Sequence, residues 1–203
     1  RRGTSSALHM KNPYAFTLLL GIGLLSGAGC QSNKETLLMG DFFTGNLVSY
    51  KNGKMDIIAS GFRGADAIEQ DGDMLYVSSW PLGKVWSYNL ATQEKRELKG
   101  DFTTAADFYL DRAGKQLVVP DMLESKIHFL KLNNDGTATV TKTLDAPSKP
   151  ESVCRGFDGK LYVTMINGDE PGDGGINVID GDEVKEFCRG MNSPKGIAFV
   201  GGY

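Results

Sequence analysis

Histidine is almost absent from this chain: of 203 residues, only His9 and His128 carry an imidazole. Serine and cysteine triads need that base beside their nucleophile, so such chemistry has almost nothing to draw on here, and His128, in an apolar segment, reads as structural. Cysteine is scarce as well, with Cys30, Cys154 and Cys188 as the whole supply. No helical period is convincing beyond the first thirty residues, which removes helical bundles from consideration. A long apolar run is also missing: the stretch ending at Gly29 has roughly 15 apolar or small residues, short of the ~20 a spanning helix needs. Basic charge is not in excess either. Residues 1–29 hold Arg1, Arg2 and Lys11 and none of the 25 acids, so the remainder is net acidic, which argues against nucleic acid as a partner.

What is present begins with an address. From Met10 come Lys11, an apolar stretch Tyr14 to Leu25, the small residues Ser26 to Gly29, and then Cys30, the order of charged, hydrophobic and small-residue regions in a secretory signal. A buried helix or a simple membrane anchor is the alternative. A cysteine directly after the small residues resembles the processing site of bacterial lipoproteins, although Gly27 stands where that pattern usually has Leu. The resemblance implies lipidation of Cys30, and with Gln31 and Ser32 following it implies a destination at the outer membrane, facing the periplasm. The chain divides into upstream or tag sequence (1–9), a signal (10–29), a short tether (30–35) and one domain (36–203).

Gly is abundant, 26 residues, and most of it sits in Asp-Gly, Asn-Gly or Gly-Gly pairs, so turns are many and strands short. The strands recur. Leu75-Tyr76-Val77-Ser78-Ser79-Trp80 aligns with Leu161 to Ile166 and with Gln116 to Asp121, and each copy follows a turn glycine, Gly72, Gly114 and Gly159, spaced 42 and 45 residues apart. Before each turn stands a shorter strand led by an acid: Ala65-Asp66-Ala67-Ile68, Ala106-Asp107-Phe108-Tyr109 and Pro150-Glu151-Ser152-Val153. A third, alternating strand follows at Leu47–Tyr50, Val85–Tyr88, Ile127–Leu130 and Ile176–Ile179. Hairpin signals come next at Asn52-Gly53, Asp135-Gly136 and Asp180-Gly181, and then a more polar strand.

Four short strands every 40 to 45 residues is the signature of a propeller blade, so an all-β fold of four-stranded antiparallel blades is expected, about four of them visible. A β-sandwich competes, but it does not require the same acid-led strand, turn and Leu-Tyr-Val strand to recur in register. The first unit opens at its second strand, near Thr36 to Phe43, and the last reaches only its first, Pro194 to Val200. Two readings remain: that last strand completes the first blade and closes a four-bladed ring, or the chain is part of a larger, six-bladed one. The second is preferred, because Gly201-Gly202-Tyr203 reads as a turn entering another strand.

Gly61-Phe62 through Leu75-Tyr76-Val77-Ser78, with Ser193-Pro194-Lys195-Gly196-Ile197-Ala198-Phe199, resembles the gluconolactonase/regucalcin family and its NHL-type relatives. The likeness covers residues 36–203. It implies six blades, a divalent metal held by carboxylates and amides in the central channel, and hydrolysis of sugar lactones or related esters. Family metal sites also use Asn at such positions, and none stands at the matching places here.

Strand alternation decides which residues can meet. If the first strand of each blade runs down the channel, the acids at the strand starts converge on one mouth: Asp66, Asp107 and Glu151, with Lys195 in the fourth equivalent place. Converging oxygen ligands suit a hard cation, calcium above all, because such a cluster repels itself unless neutralised. Lys195 is the competing neutraliser, and an acid that merely caps backbone N–H groups is the structural alternative. Asp107 is the candidate to move a proton. The same face receives Trp80, Asp121, Asn167 and Lys195 as candidate substrate-binding groups. The acidic, Gly-rich loop Asn167 to Gly175 lacks the ligand spacing of an EF-hand. Cys154 and Cys188 fall on the first and fourth strands of one blade, ~14 Å apart; that exceeds disulfide reach, so two free, largely buried thiols are expected.

Two functions fit these expectations. One is a metal-dependent hydrolase of a small lactone or ester, with Asp66, Asp107 and Glu151 as metal ligands. The other is a non-catalytic propeller, tethered to the membrane, that binds a sugar, a peptide or a protein.

Overall fold

The computed structural model describes residues 35–168 and 170–201; residues 10–29, expected from sequence to be a signal, and Cys30 lie outside them. No helix occurs among the described residues. Among the described residues, fifteen strands form four antiparallel sheets. The first has β1 (Leu37–Gly40), β2 (Leu47–Lys51) and β3 (Lys54–Ala59). The second has β4 (Ala65–Asp71), β5 (Met74–Ser79), β6 (Lys84–Asn89) and β7 (Lys95–Leu98). The third has β8 (Tyr109–Asp111), β9 (Gln116–Asp121), β10 (Lys126–Leu132) and β11 (Ala138–Asp145), and the fourth β12 (Lys149–Arg155), β13 (Leu161–Ile166), β14 (Gly174–Asp180) and β15 (Glu183–Met191). Every sheet is ordered as the chain runs, which is the meander of a propeller blade.

The Leu-Tyr-Val motif is continuous in apolarity because each blade is buried on both faces. Leu75 and Val77 pack toward the first blade, with Leu47, Phe62 and Trp86. Tyr76, between them, points the other way, into a cluster with Leu110, Leu117, Val119 and Leu130 of the third blade. One blade on, the pattern repeats: Leu117 and Val119 face back, while Val118 joins Ile127, Leu161, Val163 and Met165 in the next interface. Period-2 alternation thus feeds two cores rather than one core and solvent.

That alternation corrects the blade alignment by one residue. Leu117, not Gln116, occupies the place of Leu75 and Leu161, so Pro120 falls where the neighbouring blades carry Ser78 and Thr164. A one-residue slip reverses every side chain in a strand, and burial settles it where residue similarity did not.

The first strand of the third blade is also shorter than the repeat suggests. It joins its ladder only at Tyr109, because Pro120 offers no N–H to the opposing chain and only its carbonyl pairs, with Ala106 N at 3.1 Å. Asp107 instead bridges in parallel to Ser152 of the next blade, its N–H donating to Glu151 O at 3.0 Å and its carbonyl accepting from Val153 N.

Residues 194–200 form no ladder with β1, and the first blade has three strands among the described residues, so the closed four-bladed ring is not what forms. The segment lies on the fourth blade: Phe199 meets Tyr162 at 4.8 Å and Phe157 at 6.0 Å between ring centroids, and Thr164 Oγ1 donates to Lys195 O at 2.8 Å. On the face of the Asp-Gly turns, Arg112 reaches back to Glu69 at 2.7 Å and Arg155 to Asp111 at 2.8 Å, stapling successive inner strands. Cys154 on β12 and Cys188 on β15 are free thiols, half-buried rather than largely buried.

Candidate functional site

The acids that lead the inner strands owe their direction to bulges. Pairing of β4 with β5 slips between Ala65 and Ile68, and pairing of β12 with β13 slips between Pro150 and Val153, each irregularity containing the acid. A bulge turns its residues out of the pleat and frees a backbone donor. Here a hydroxyl on the second strand takes up that donor: Ala67 N donates to Ser78 Oγ at 3.1 Å, and Ser152 N to Thr164 Oγ1 at 3.0 Å. Both hydroxyls are buried. Ser78 and Thr164 therefore hold the strand starts open toward the mouth, a role no motif in the sequence announced.

Asp66, Asp107 and Glu151 face a common mouth closely enough to act on one another electrostatically. Burial is the largest influence on Asp66, followed by the negative charges of Glu151 and Asp107; together they raise its carboxyl from an ordinary 3.8 to about 6, against a smaller lowering by Lys195. Asp107 is also raised, chiefly by burial, while the hydrogen bond from Ser152 opposes the rise. That bond is short, Ser152 Oγ donating to Asp107 Oδ2 at 2.5 Å. Glu151 is nine-tenths buried: its Oε1 accepts from Lys195 Nζ at 2.8 Å, and its Oε2 is buried with no partner among the described residues. Among the described residues the mouth is short of positive charge, and one carboxylate oxygen in it is left without a donor.

A hard cation suits these donors, which are all oxygens, and the orphaned Glu151 Oε2 is the atom that most needs one. The spacing limits the coordination, since among the described residues no three His, Cys, Asp or Glu side chains stand close enough to hold one ion. Two carboxylates at most could serve a single ion in this arrangement. Glu151 and Asp107 are linked through their backbones, and Glu151 is also the carboxylate whose charge weighs most on Asp66.

The remaining predicted residues separate into two groups. Lys195 lies at the mouth, its Nζ on Glu151 Oε1. Asp121 does not present its carboxylate there: it is fully buried, accepting from Thr103 N at 2.7 Å, Thr104 N at 3.0 Å and Thr104 Oγ1 at 2.8 Å, so it anchors the loop entering the third blade. Trp80 is half-buried where β5 turns toward β6. Asn167 is half-buried too, its Nδ2 donating to Asp173 O, so part of this side chain braces its own loop. His128 is structural: Nδ1 contacts Thr143 Oγ1 at 3.1 Å, the ring stacks edge-on with Phe102, and burial pushes its pKa down.

No protein-family model matches the sequence, and no curated protein matches it significantly. Solved structures do. A protein provisionally assigned as a gluconolactonase superposes over 82% of this chain and 64% of its own length, with a TM-score of 0.62 and 16% identity. Virginiamycin B lyase from Staphylococcus aureus matches 77% of this chain and 53% of its own, with a TM-score of 0.58 and 14% identity. A provisional 6-phosphogluconolactonase from Bacteroides uniformis matches 78% and 52%, with a TM-score of 0.57 and 14% identity. The chain thus spans just under two thirds of the first of these and about half of the other two. Identities this low speak to fold alone, and on that they agree with the strand order: the chain is a β-propeller whose blades resemble those of gluconolactonase-like proteins.

Proposed function

We propose that this protein is a lactonase-like hydrolase that opens a small sugar lactone or ester at the mouth carrying Asp66, Asp107 and Glu151. In this reading residues 10–29 direct export, and a lipid on Cys30 anchors the domain at the outer membrane, on its periplasmic side. The observation that carries the proposal is Glu151 Oε2, a buried carboxylate oxygen without a partner among the described residues, in a mouth where a second carboxyl is raised to about 6. A buried carboxylate oxygen without a donor is costly even when its twin is paired, so a fold that keeps such a group has a use for it or a ligand that satisfies it.

A divalent cation, calcium by the all-oxygen donor set, would be held by Glu151 and Asp107 and supplies polarisation of the carbonyl when bound. The protein's own groups do the rest. Ser152 fixes the orientation of Asp107. Asp66 is the more accessible carboxylate, and burial, the first cause of its raised pKa, persists when its neighbours hold a cation, so it is the group placed to accept a proton from the attacking water and return it to the leaving alkoxide. The proton role therefore moves from Asp107, which the sequence favoured, to Asp66.

A second reading keeps the same mouth without catalysis: Lys195 already neutralises one oxygen of Glu151, as a binding propeller would allow. Calcium titration by calorimetry together with lactone hydrolysis in a pH-stat separates the two. Saturable calcium binding with hydrolysis abolished by chelation supports the hydrolase, and a folded protein showing neither supports the binding propeller.

A further inference from the structure

Three loops of the first two blades meet on the face that carries the mouth. Strand alternation puts the β1–β2 loop, the segment entering β4 and the β5–β6 loop on that side, with the starts of the inner strands. Between them lies a cleft of about 340 Å³ lined by Phe42, Phe43, Arg63, Gly64, Pro81 and Leu82. Its size is at the lower end of small-ligand pockets.

The cleft is tightly built. Gly64 N donates to Phe42 O at 2.8 Å and Phe62 N to Gly45 O at 2.8 Å, locking the loop of one blade to the next. Gly64 has a φ of +72°, and a Cβ there would lie 2.3 Å from Pro81 Cγ, so the wall closes only because that residue has no side chain. The apolar rim is exposed nonetheless: Phe43 is 88% exposed, and Phe42 and Leu82 are both more than a third exposed. Phe42 and Phe43 meet edge to face at 5.4 Å between centroids. Arg63 takes part in no ion pair among the described residues. Aromatic surface on a fixed wall, beside a guanidinium without an acid, matches a ligand with an apolar ring and a carboxylate.

We propose that this cleft is a subsite for an aromatic or alicyclic carboxylate, its ring on Phe42, Phe43 and Leu82 and its anion on Arg63. The proposal deepens the hydrolase reading, from which it takes the idea of a small-molecule substrate: Gly64 stands two residues before Asp66, on the segment that enters β4, so the cleft lies beside the strand that carries one of the acids of the mouth. It gives the substrate an apolar, anionic end rather than hydroxyls throughout.

The test reads binding, not turnover, so it stands apart from hydrolysis. Phenylacetate is titrated into the full chain, with tryptophan fluorescence as the readout because Trp80 adjoins Pro81, and calorimetry in parallel. Saturable binding is expected, weakened about 10-fold by Arg63→Gln and by Phe43→Ser, a loss typical of one charge-assisted hydrogen bond or one stacking ring. Phenylacetamide should bind about 10-fold more weakly than phenylacetate, and gluconate should not compete. Both altered positions are exposed, and unchanged melting temperatures will show that the variants fold. Absence of saturable binding, an unaltered affinity in Arg63→Gln, or equal binding of phenylacetamide would overturn the subsite. A protein that binds phenylacetate yet hydrolyses no lactone would retain the cleft and lose the hydrolase reading.

Discussion

Lys195 Nζ stands 2.8 Å from Glu151 Oε1, joining the segment that follows the fourth blade to the acid at the head of that blade. The partners are unlike: the lysine side chain is 64% exposed and the glutamate 10%. Removing the cation leaves a buried carboxylate without compensation. Lys195→Met is expected to lower stability at neutral pH by about 1–3 kcal/mol, read by urea denaturation. In the proposed cation site it is also expected to strengthen calcium binding, because a competing positive charge has gone.

Asp66 fixes a direction of pH dependence. Its carboxyl is held near 6 in the folded chain and returns toward 3.8 on unfolding, so between about pH 4 and 6 the folded state keeps a proton that the unfolded state has released. Stability from this group is therefore greatest at low pH and falls as pH rises through that window. Asp66 is exposed over much of its surface, which calls for discounting the shift for solvent screening, and about 1 kcal/mol is the expected size. Asp66→Asn should remove this fall, visible as a flatter profile of melting temperature against pH, and should slow lactone hydrolysis.

Asp121 is expected to behave as a structural residue. Its two oxygens serve Thr103 N, Thr104 N and Thr104 Oγ1 in a fully buried place, so Asp121→Ala strands those donors. A loss of about 3 kcal/mol is predicted from equilibrium unfolding, with calcium affinity of the folded fraction unchanged. A fall in affinity without a fall in stability would return Asp121 to the mouth.

The thiols test the blade order. β12 and β15 are separated by two strands, about 14 Å at the usual spacing, which no disulfide spans. In a Cys30→Ser chain, two reactive thiols are expected after denaturation without reductant. A single bridged species by intact mass would contradict the strand order.

Much of this fold was legible because it repeats. The Asp-Gly turns, the acid-led strands and the alternating third strands recur at nearly constant spacing, and the resulting blades fall where the spacing put them. The one-residue slip at Leu117 shows the limit: residue similarity alone tied Gln116 to Leu75, whereas only burial on alternate faces fixes register. The mouth was legible in its acids but not in its supports. Ser78 and Thr164 look like ordinary strand residues until a bulge supplies the backbone N–H each receives. Asp121 misled because a carboxylate at the end of a strand reads the same whether it faces solvent or folds back onto its neighbour's backbone. Phe42 and Phe43 were passed over because their significance lies in a neighbouring blade, at Arg63 and Pro81.

The most direct test compares lactone hydrolysis by the wild-type protein and Glu151→Gln, each with calcium and with chelator. Glutamine keeps the shape of the buried side chain and an acceptor for Lys195 while removing the charge, so folding can be checked independently by melting temperature. The account predicts calcium-dependent hydrolysis in the wild type and a loss of at least about 100-fold in the folded variant, the scale of a removed electrostatic contact in a transition state. A folded Glu151→Gln that hydrolyses lactone at the wild-type rate would contradict it.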